Sequence, residues 1–304
     1  MKILISRTDN IGDVILTLPI AGILKTTFPD CKIQFLARGY AGAVVKQCRY
    51  VDEFIDWEPL AQLSTQDLVT AFTQFKTDTI LHVYPQSKIA KAAKKAGIKQ
   101  RIGTSHRLYH WLTCNKRVNF SRKRSTLHEA QLNLNVLKPL GINKSASLEQ
   151  LAQYTGLETS VTPSTKILAY LNPQRFNLVV HPGTNGNTKE WPTDHFVQLI
   201  NTLPADQFNI LITGTSKEQQ QYQQSLLNKC PRATNLMGQL NLSELVDLLG
   251  AVDGIVVNST GPLHIGAALG IHALGLFPPQ PGKSPKRWGP IGKQAEYLVA
   301  EKPC

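Results

Sequence analysis

The segment TDNIGD (8–13) ends on an acid, Asp13, where a short β-branched run, KILIS (2–6), gives way to an apolar-periodic stretch, VILTLPIAGIL (14–24). A carboxylate at the close of a strand-to-helix turn, here one containing Gly12, stands at the mouth of the helix. There it could act as a base on a ligand held above the sheet. A second segment, VVHPGTNGNTKEWP (179–192), offers Gly183, Thr184, Asn185, Gly186 and Thr188, then Lys189. Small residues let a backbone approach a phosphate, hydroxyls donate to it, and lysine adds a point charge. The GxxxxGK[ST] spacing is absent, so a plain polar loop with a surface lysine stays an alternative. In the third segment a buried run ends in Asn258, Ser259, Thr260, Gly261 and Pro262, and a small-residue helix follows at once. The unpaired N–H groups and dipole of a first helical turn hold an anion well. A simple helix cap, contributing about 1 kcal/mol, accounts for the same residues. His264, one turn in, could face a ligand or pack. Glu218 opens a helix after FNILITG (208–214), where an acid is commonly a partner of the helix dipole.

These residues need a scaffold of alternating strands and helices. Strand-like runs in the first half are 2–6, 32–37, 79–83 and 100–104, with amphipathic segments at 14–27 and 87–96 and a helix over 128–140 ending at Gly141. In the second half they are 177–183, 208–214, 253–261 and 273–278. That alternation predicts parallel α/β layers. The 304 residues suit two domains of about 150 residues each. The Thr-, Ser- and Pro-rich stretch 161–177 reads as a linker between domains 1–160 and 178–304. The halves share no detectable sequence repeat, and a cleft between two such sheets would suit a two-substrate site.

The formal charge of +12 points to an anionic partner. No zinc-finger spacing, RNP-like strand or basic zipper is present, so nucleic acid is not expected. Lys88, Lys91 and Lys95 recur at near-helical spacing, with Lys94, Lys99, Arg101 and Arg107 nearby. They form either a solvated face or a basic surface for an acidic or phosphorylated acceptor. No run approaches the roughly 20 apolar residues of a membrane span, and the first residues lack the pattern of a signal peptide. Cys31, Cys48, Cys114, Cys230 and Cys304 show no metal spacing, which suits a reducing cytoplasm.

Taken in order, RTDNIGDVILTLP, HEAQLNLNVLKPLG, VVHPGTNGNTKEWP, ITGTSKE, LMGQLNLSEL, NSTGPLHIGAALG and LFPPQPGKSPKRWGP resemble the family 9 glycosyltransferases, the bacterial heptosyltransferases of lipopolysaccharide assembly. The resemblance covers nearly the whole chain. It implies the GT-B fold, two Rossmann-like parallel-sheet domains facing a central cleft, with the acceptor on the first and a nucleotide sugar on the second. Members transfer heptose from ADP-heptose with inversion, without a metal or other cofactor, and no DxD occurs here. Asp13 matches the family's base, with Asp9 as its nearest rival. Lys189, Thr184, Thr188 and the helix start at Ser259–Thr260–Gly261 would stabilise the leaving diphosphate, with His264 nearby. Glu218 would meet the ribose, and Met237–Gly238 would border the adenine. Gly12, Lys88, Lys91 and Arg101 would lie on the acceptor side. Two departures stand out: Ser259 occupies a position where many members carry an acid, and members usually continue past the equivalent of Cys304. The expected partners are ADP-heptose and an anionic lipid-linked saccharide, met at the cytoplasmic face of the inner membrane. Transfer from another nucleotide sugar, or non-catalytic binding of a nucleotide sugar or glycolipid, are the alternatives.

Overall fold

The computed structural model describes residues 1–301 except Arg124, Ser160, Val161, Asn185 and Asn187, so Asn185 and Cys304 lie outside the described residues. The chain divides into two compact units, Met1–Leu157 and Glu158–Cys304. The first holds β1 (Lys2–Ser6), β2 (Lys32–Ala37), β3 (Glu53–Asp56), β4 (Thr79–His82), β5 (Gln100–Thr104) and β6 (Lys116–Val118). They form one parallel sheet in the order β3-β2-β1-β4-β5-β6. The second holds β7 (Phe176–His181), β8 (Phe208–Ile212), β9 (Thr234–Asn235), β10 (Gly254–Asn258), β11 (His272–Phe277) and β12 (Ala295–Val299). Its parallel order is β12-β11-β10-β7-β8-β9. Numbered along its own chain, each unit reads 3-2-1-4-5-6, the doubly wound order of dinucleotide-binding domains.

Helices on both faces of a parallel sheet force its inner strands to be apolar runs rather than alternating ones. Ile3, Leu4 and Ile5 of β1 are all fully buried. On one face, Leu4, Leu36 and Ile80 pack with Phe72 of the helix Thr65–Gln74 and Ile89 of the helix Ser87–Lys95. In the second unit Val180, Ile210 and Ile212 pack against Phe196 and Ile200 of the helix Thr193–Thr202. Each such side chain contributes about 2 kcal/mol relative to exposure.

The expected helix 14–27 is two helices, Ile11–Ile15 and Leu18–Thr27. Pro19 has no N–H to continue the first ladder, and the Thr17 hydroxyl donates back to the Asp13 carbonyl at 2.8 Å. The expected helix 128–140 is α-helical only over Glu129–Asn133. It tightens to a 3₁₀ segment, Leu134–Leu140, that contains Pro139 and closes on Gly141 at φ +81°. Much of the expected linker is structured: Ser164 caps a helix, Thr165–Leu168, whose Ile167 is fully buried, and β7 begins at Phe176. Ser164 there acts as a cap residue rather than as spacer. Among the described residues no helix is long and apolar enough to cross a membrane. Cys31, Cys48, Cys114 and Cys230 are buried thiols that form no disulfide with one another.

Candidate active site

In a doubly wound sheet the ligand crevice opens outside the carboxyl ends of the strands, where the strand order reverses. In the first unit that point lies between β1 and β4, and the residue leaving β1 is Arg7. Its guanidinium is buried and holds three carboxylates. Nε donates to Asp9 Oδ1 at 2.7 Å, Nη2 to Asp13 Oδ1 at 2.5 Å, and Nη1 to Glu129 Oε1 at 3.0 Å. Arg122 completes the cluster, donating to Glu129 Oε1 at 2.7 Å, Asn133 Oδ1 at 3.0 Å and the Val83 carbonyl at 2.9 Å. Asn133 in turn donates to the Leu16 carbonyl and the Thr17 hydroxyl, both at 3.2 Å, tying the helix Glu129–Asn133 to the turn after Asp13.

Burial works on the carboxylates unequally. It pushes Asp9 up to about 6 despite the adjoining Arg7, and it raises Asp13 as well, Arg7 opposing and Glu129 reinforcing. Burial also acts to raise Glu129, but Arg7 and Arg122 outweigh it and hold that carboxyl below its usual range. Arg7 loses by burial but is held above its ordinary pKa by Asp9, Asp13 and Glu129. The result is an ionised anchor, Glu129, beside two carboxylates poised closer to neutrality. Asp13 sits in the first turn of Ile11–Ile15, and among the described residues only its Oδ1 is engaged by a donor. Its Oδ2 is open to accept a proton. Gly12 is not a turn residue but a member of that helix, its carbonyl accepting from the Leu16 N–H at 3.0 Å.

In the second unit the order reverses between β7 and β10. Asn258, at the end of β10, is buried and clamps both ends of the loop after β7. Its Nδ2 donates to the Pro182 carbonyl at 2.6 Å, and its Oδ1 accepts the Trp191 N–H at 3.0 Å. Inside the loop, Glu190 Oε1 accepts from the Thr184 N–H at 3.1 Å and lies 3.0 Å from its hydroxyl. Glu190 Oε2 accepts from Tyr222 at 2.6 Å. Thr184, expected on the diphosphate, is buried and has its one hydroxyl proton committed between Glu190 and the Thr188 carbonyl. It shapes the loop instead. Lys189 is exposed beside it.

The helix Gly261–Leu269 starts next to this loop. Its N-cap, Thr260, does not cap the first turn with its side chain: the hydroxyl donates to the Asn258 carbonyl at 3.1 Å instead. Pro262 brings no N–H of its own. The start of this nine-residue helix, without a cap bond from its N-cap side chain, is suited to hold an anion. His264 is buried on this helix and Ser259 is half-buried before it, its N–H donating to the Leu276 carbonyl at 3.0 Å.

A hollow lies on each side of β7. One, of about 270 Å³, is lined by Lys189, Asn258, Phe277 and Val299. The other, of about 180 Å³, is walled by Leu236, Leu240 and Leu245 and floored by His181, Gly214 and Thr215. Gly238, at φ +71°, donates its N–H to the Gly214 carbonyl at 2.9 Å. Met237 is fully buried beneath. Glu218 closes a capping box, Oε2 accepting from the Thr215 N–H and hydroxyl at 2.7 and 2.9 Å. Its Oε1 lies 1.9 Å from where a Cβ on Gly183 would stand, so a larger residue there would have to displace the Glu218 carboxylate.

The structure does not bring all the expected acceptor residues together. Arg101 stands at the amino end of β5, the opposite edge of the sheet from Asp13, with Nε donating to the Thr113 carbonyl at 2.7 Å and Nη1 to the Ile98 carbonyl. Lys88 is spent on the Ala61 and Leu63 carbonyls at 2.6 and 3.0 Å, a C-terminal helix cap. Lys91 is exposed on the same helix. Sequence reasoning missed Arg7, Arg122, Glu129, Asn133 and Glu190, and read Asn258 only as part of an anion site or helix cap rather than as the clamp of the loop after β7. Glu129 and Asn133, four apart on one helix face in HEAQLN, were a signal available for the first cluster.

A family model described as "Glycosyltransferase family 9 (heptosyltransferase)" matches residues 74–304. A Haemophilus influenzae protein described as a putative glycosyltransferase is 25% identical across 98% of this chain and 88% of its own length. Among solved structures, a family 9 glycosyl transferase from Veillonella parvula superposes with a TM-score of 0.80 at 20% identity, covering 99% of this chain and 86% of that one. The Escherichia coli ADP-heptose lipopolysaccharide heptosyltransferase II gives 0.75 at 20% identity, covering 98% and 90%. At these identities the likeness speaks for the fold, two Rossmann-like α/β units of the GT-B class.

Proposed function

This chain belongs to glycosyltransferase family 9, and from that premise we propose that it transfers a heptose from ADP-heptose to the inner core of a lipopolysaccharide, with inversion and without a metal. The observation that carries the reading is the helix start at Thr260–Gly261, without a cap bond from its N-cap side chain, at the switch point of the second sheet where Asn258 and Lys189 line one hollow; in this reading it cradles the diphosphate. The similar Escherichia coli enzyme, whose description names ADP-heptose, supports the choice of donor. In this reading the apolar hollow beside Gly238 receives the adenine and Glu218 Oε1 approaches the ribose.

Inversion is a single displacement. The acceptor oxygen bonds to the anomeric carbon as its proton passes to Asp13, and the bond from that carbon to the diphosphate oxygen breaks with its electron pair leaving on ADP. Arg7 fixes Asp13 by one oxygen and leaves the other to take the proton. Lys189 and the helix dipole meet the charge that develops on the leaving group, the work a metal does elsewhere. Transfer from a different nucleotide sugar is the second reading, favoured by the neutral Ser259.

The test is release of nucleoside diphosphate from ADP-heptose, UDP-sugars and GDP-sugars, with and without heptose-deficient lipopolysaccharide. Acceptor-dependent ADP release unchanged by EDTA is expected. Release from a UDP- or GDP-sugar alone would replace the donor, and loss of release in EDTA would end the metal-free mechanism.

A further inference from the structure

The helix Leu108–Thr113 is built inside out. His110 and Thr113 point into the first unit and are buried, while Leu108, Trp111 and Leu112 are 88%, 57% and 76% exposed. Positions 108, 111 and 112 share one helical face. A surface helix normally turns that stripe inward, and a contiguous exposed apolar patch marks an interaction site.

Cations rim the patch. Lys94 Nζ donates to the Leu112 carbonyl at 2.9 Å, the Arg117 guanidinium lies 4.4 Å from the Trp111 ring centre, and Arg107 is the helix N-cap residue. The wider charge pattern is one-sided. Between Asp78 and Glu129 there are twelve Lys and Arg and no acid, so the +12 of the whole chain is the charge of this segment; the remaining 21 Lys and Arg are matched by 21 Asp and Glu. Apolar side chains ringed by cations fit the boundary of an anionic bilayer, where the rim meets lipid phosphates and the centre enters the acyl region.

We propose that the helix Leu108–Thr113 docks the chain on anionic membranes by burying Leu108, Trp111 and Leu112 among the lipids. This deepens the reading of a lipid-anchored acceptor, giving the enzyme a fixed seat on the surface that carries it. The surface is tested without donor or acceptor, so its failure leaves the transferase assignment standing, and the reverse.

The test uses the full chain and extruded vesicles of phosphatidylethanolamine with roughly one-third phosphatidylglycerol, against phosphatidylcholine alone. The protein should sediment with the anionic vesicles, and less so as salt rises. The doubly exposed pair Leu108→Ser with Leu112→Ser should weaken partition at least tenfold. Lys94→Gln and Arg107→Gln should cost about fivefold each on anionic vesicles only. Brominated lipid should quench part of the tryptophan emission, and that part should vanish in Trp111→Phe, which still binds. Wild-type partition of the serine pair, or unquenched Trp111 on bound protein, would overturn the proposal. So would duplex DNA binding that exceeds vesicle binding and weakens with the same serine pair, which would make the patch a nucleic-acid surface.

Discussion

At the scale of single residues, the first unit turns on how one buried guanidinium divides its charge. Arg7 satisfies Asp9, Asp13 and Glu129 at once, and Arg122 takes part of Glu129, so Glu129 stays ionised, while burial pushes Asp9 and Asp13 up against the pull of Arg7. A protonated carboxyl cannot accept a proton, so turnover is expected above the raised pKa of the pair and lost as pH falls through it. The acid limb of kcat should therefore lie above the roughly 3.9 of a free aspartate. Asp13→Asn keeps a carbonyl for Arg7 and should lower kcat by about 10²-fold or more, with ADP affinity retained. Asp9→Asn should keep most turnover and move the acid limb to lower pH, since Arg7 then serves one carboxylate fewer. The reverse pattern in the two variants would make Asp9 the base. In the second unit, if Lys189 meets the diphosphate as proposed, Lys189→Gln should weaken ADP about tenfold by calorimetry. Asp13 and Lys189 were legible as loop-end residues, because acids and lysines there stand out by type and spacing, and their roles rest on the proposed transfer. Arg7 and Glu129 were not, because an ion that works from inside the protein reads as part of a strand or helix, and Asn258 was legible only as a cap or anion-site residue, not as a clamp.

At the scale of elements, the second site is a loop held open at its two ends by one side chain. Asn258→Ala would strand the Pro182 carbonyl and the Trp191 N–H, an expected stability loss of about 2 kcal/mol in urea unfolding. The loop positions Lys189, so ADP binding should weaken about tenfold as well, while affinity for the acceptor stays put. Equal losses for both substrates would mean that the loop does more than hold the nucleotide. Elements differ in how much of themselves they put into sequence. Most of the eight inner strands stand out as apolar runs because both of their faces are covered, β5 (QRIGT) being the weakest of them. The four that went unread, β3, β6, β9 and β12, are the four sheet edges. They are two to five residues long and carry exposed or half-exposed positions, such as all but the first residue of β12. The break at Pro19 and the 3₁₀ segment before Gly141 escaped for a related reason: apolar spacing survives a change of helix type that removes only a few hydrogen bonds.

At the scale of the whole molecule, two units without a detectable sequence repeat share one strand order, and hence one place for a ligand. What differs is the electrostatics put there. The first crevice gathers carboxylates around a guanidinium, which suits taking a proton; the second sets a lysine and a bare helix end against a glycine-bearing loop, which suits holding an anion. That division of labour predicts where each ligand acts. A ligand bound to the folded state suppresses opening of the segments it touches, by up to about 2.7 kcal/mol at a hundred times its Kd, or about 100-fold in amide exchange. Saturating ADP should therefore slow hydrogen exchange in 183–191 and 259–264 and leave 7–13 at its free rate. A soluble fragment of the acceptor saccharide should do the opposite. Each unit has its own sheet and its own buried core, so protection is expected to stay within the unit that binds. ADP protection centred on 7–13 would exchange the roles of the two crevices, and with them the assignment of Asp13 as the base.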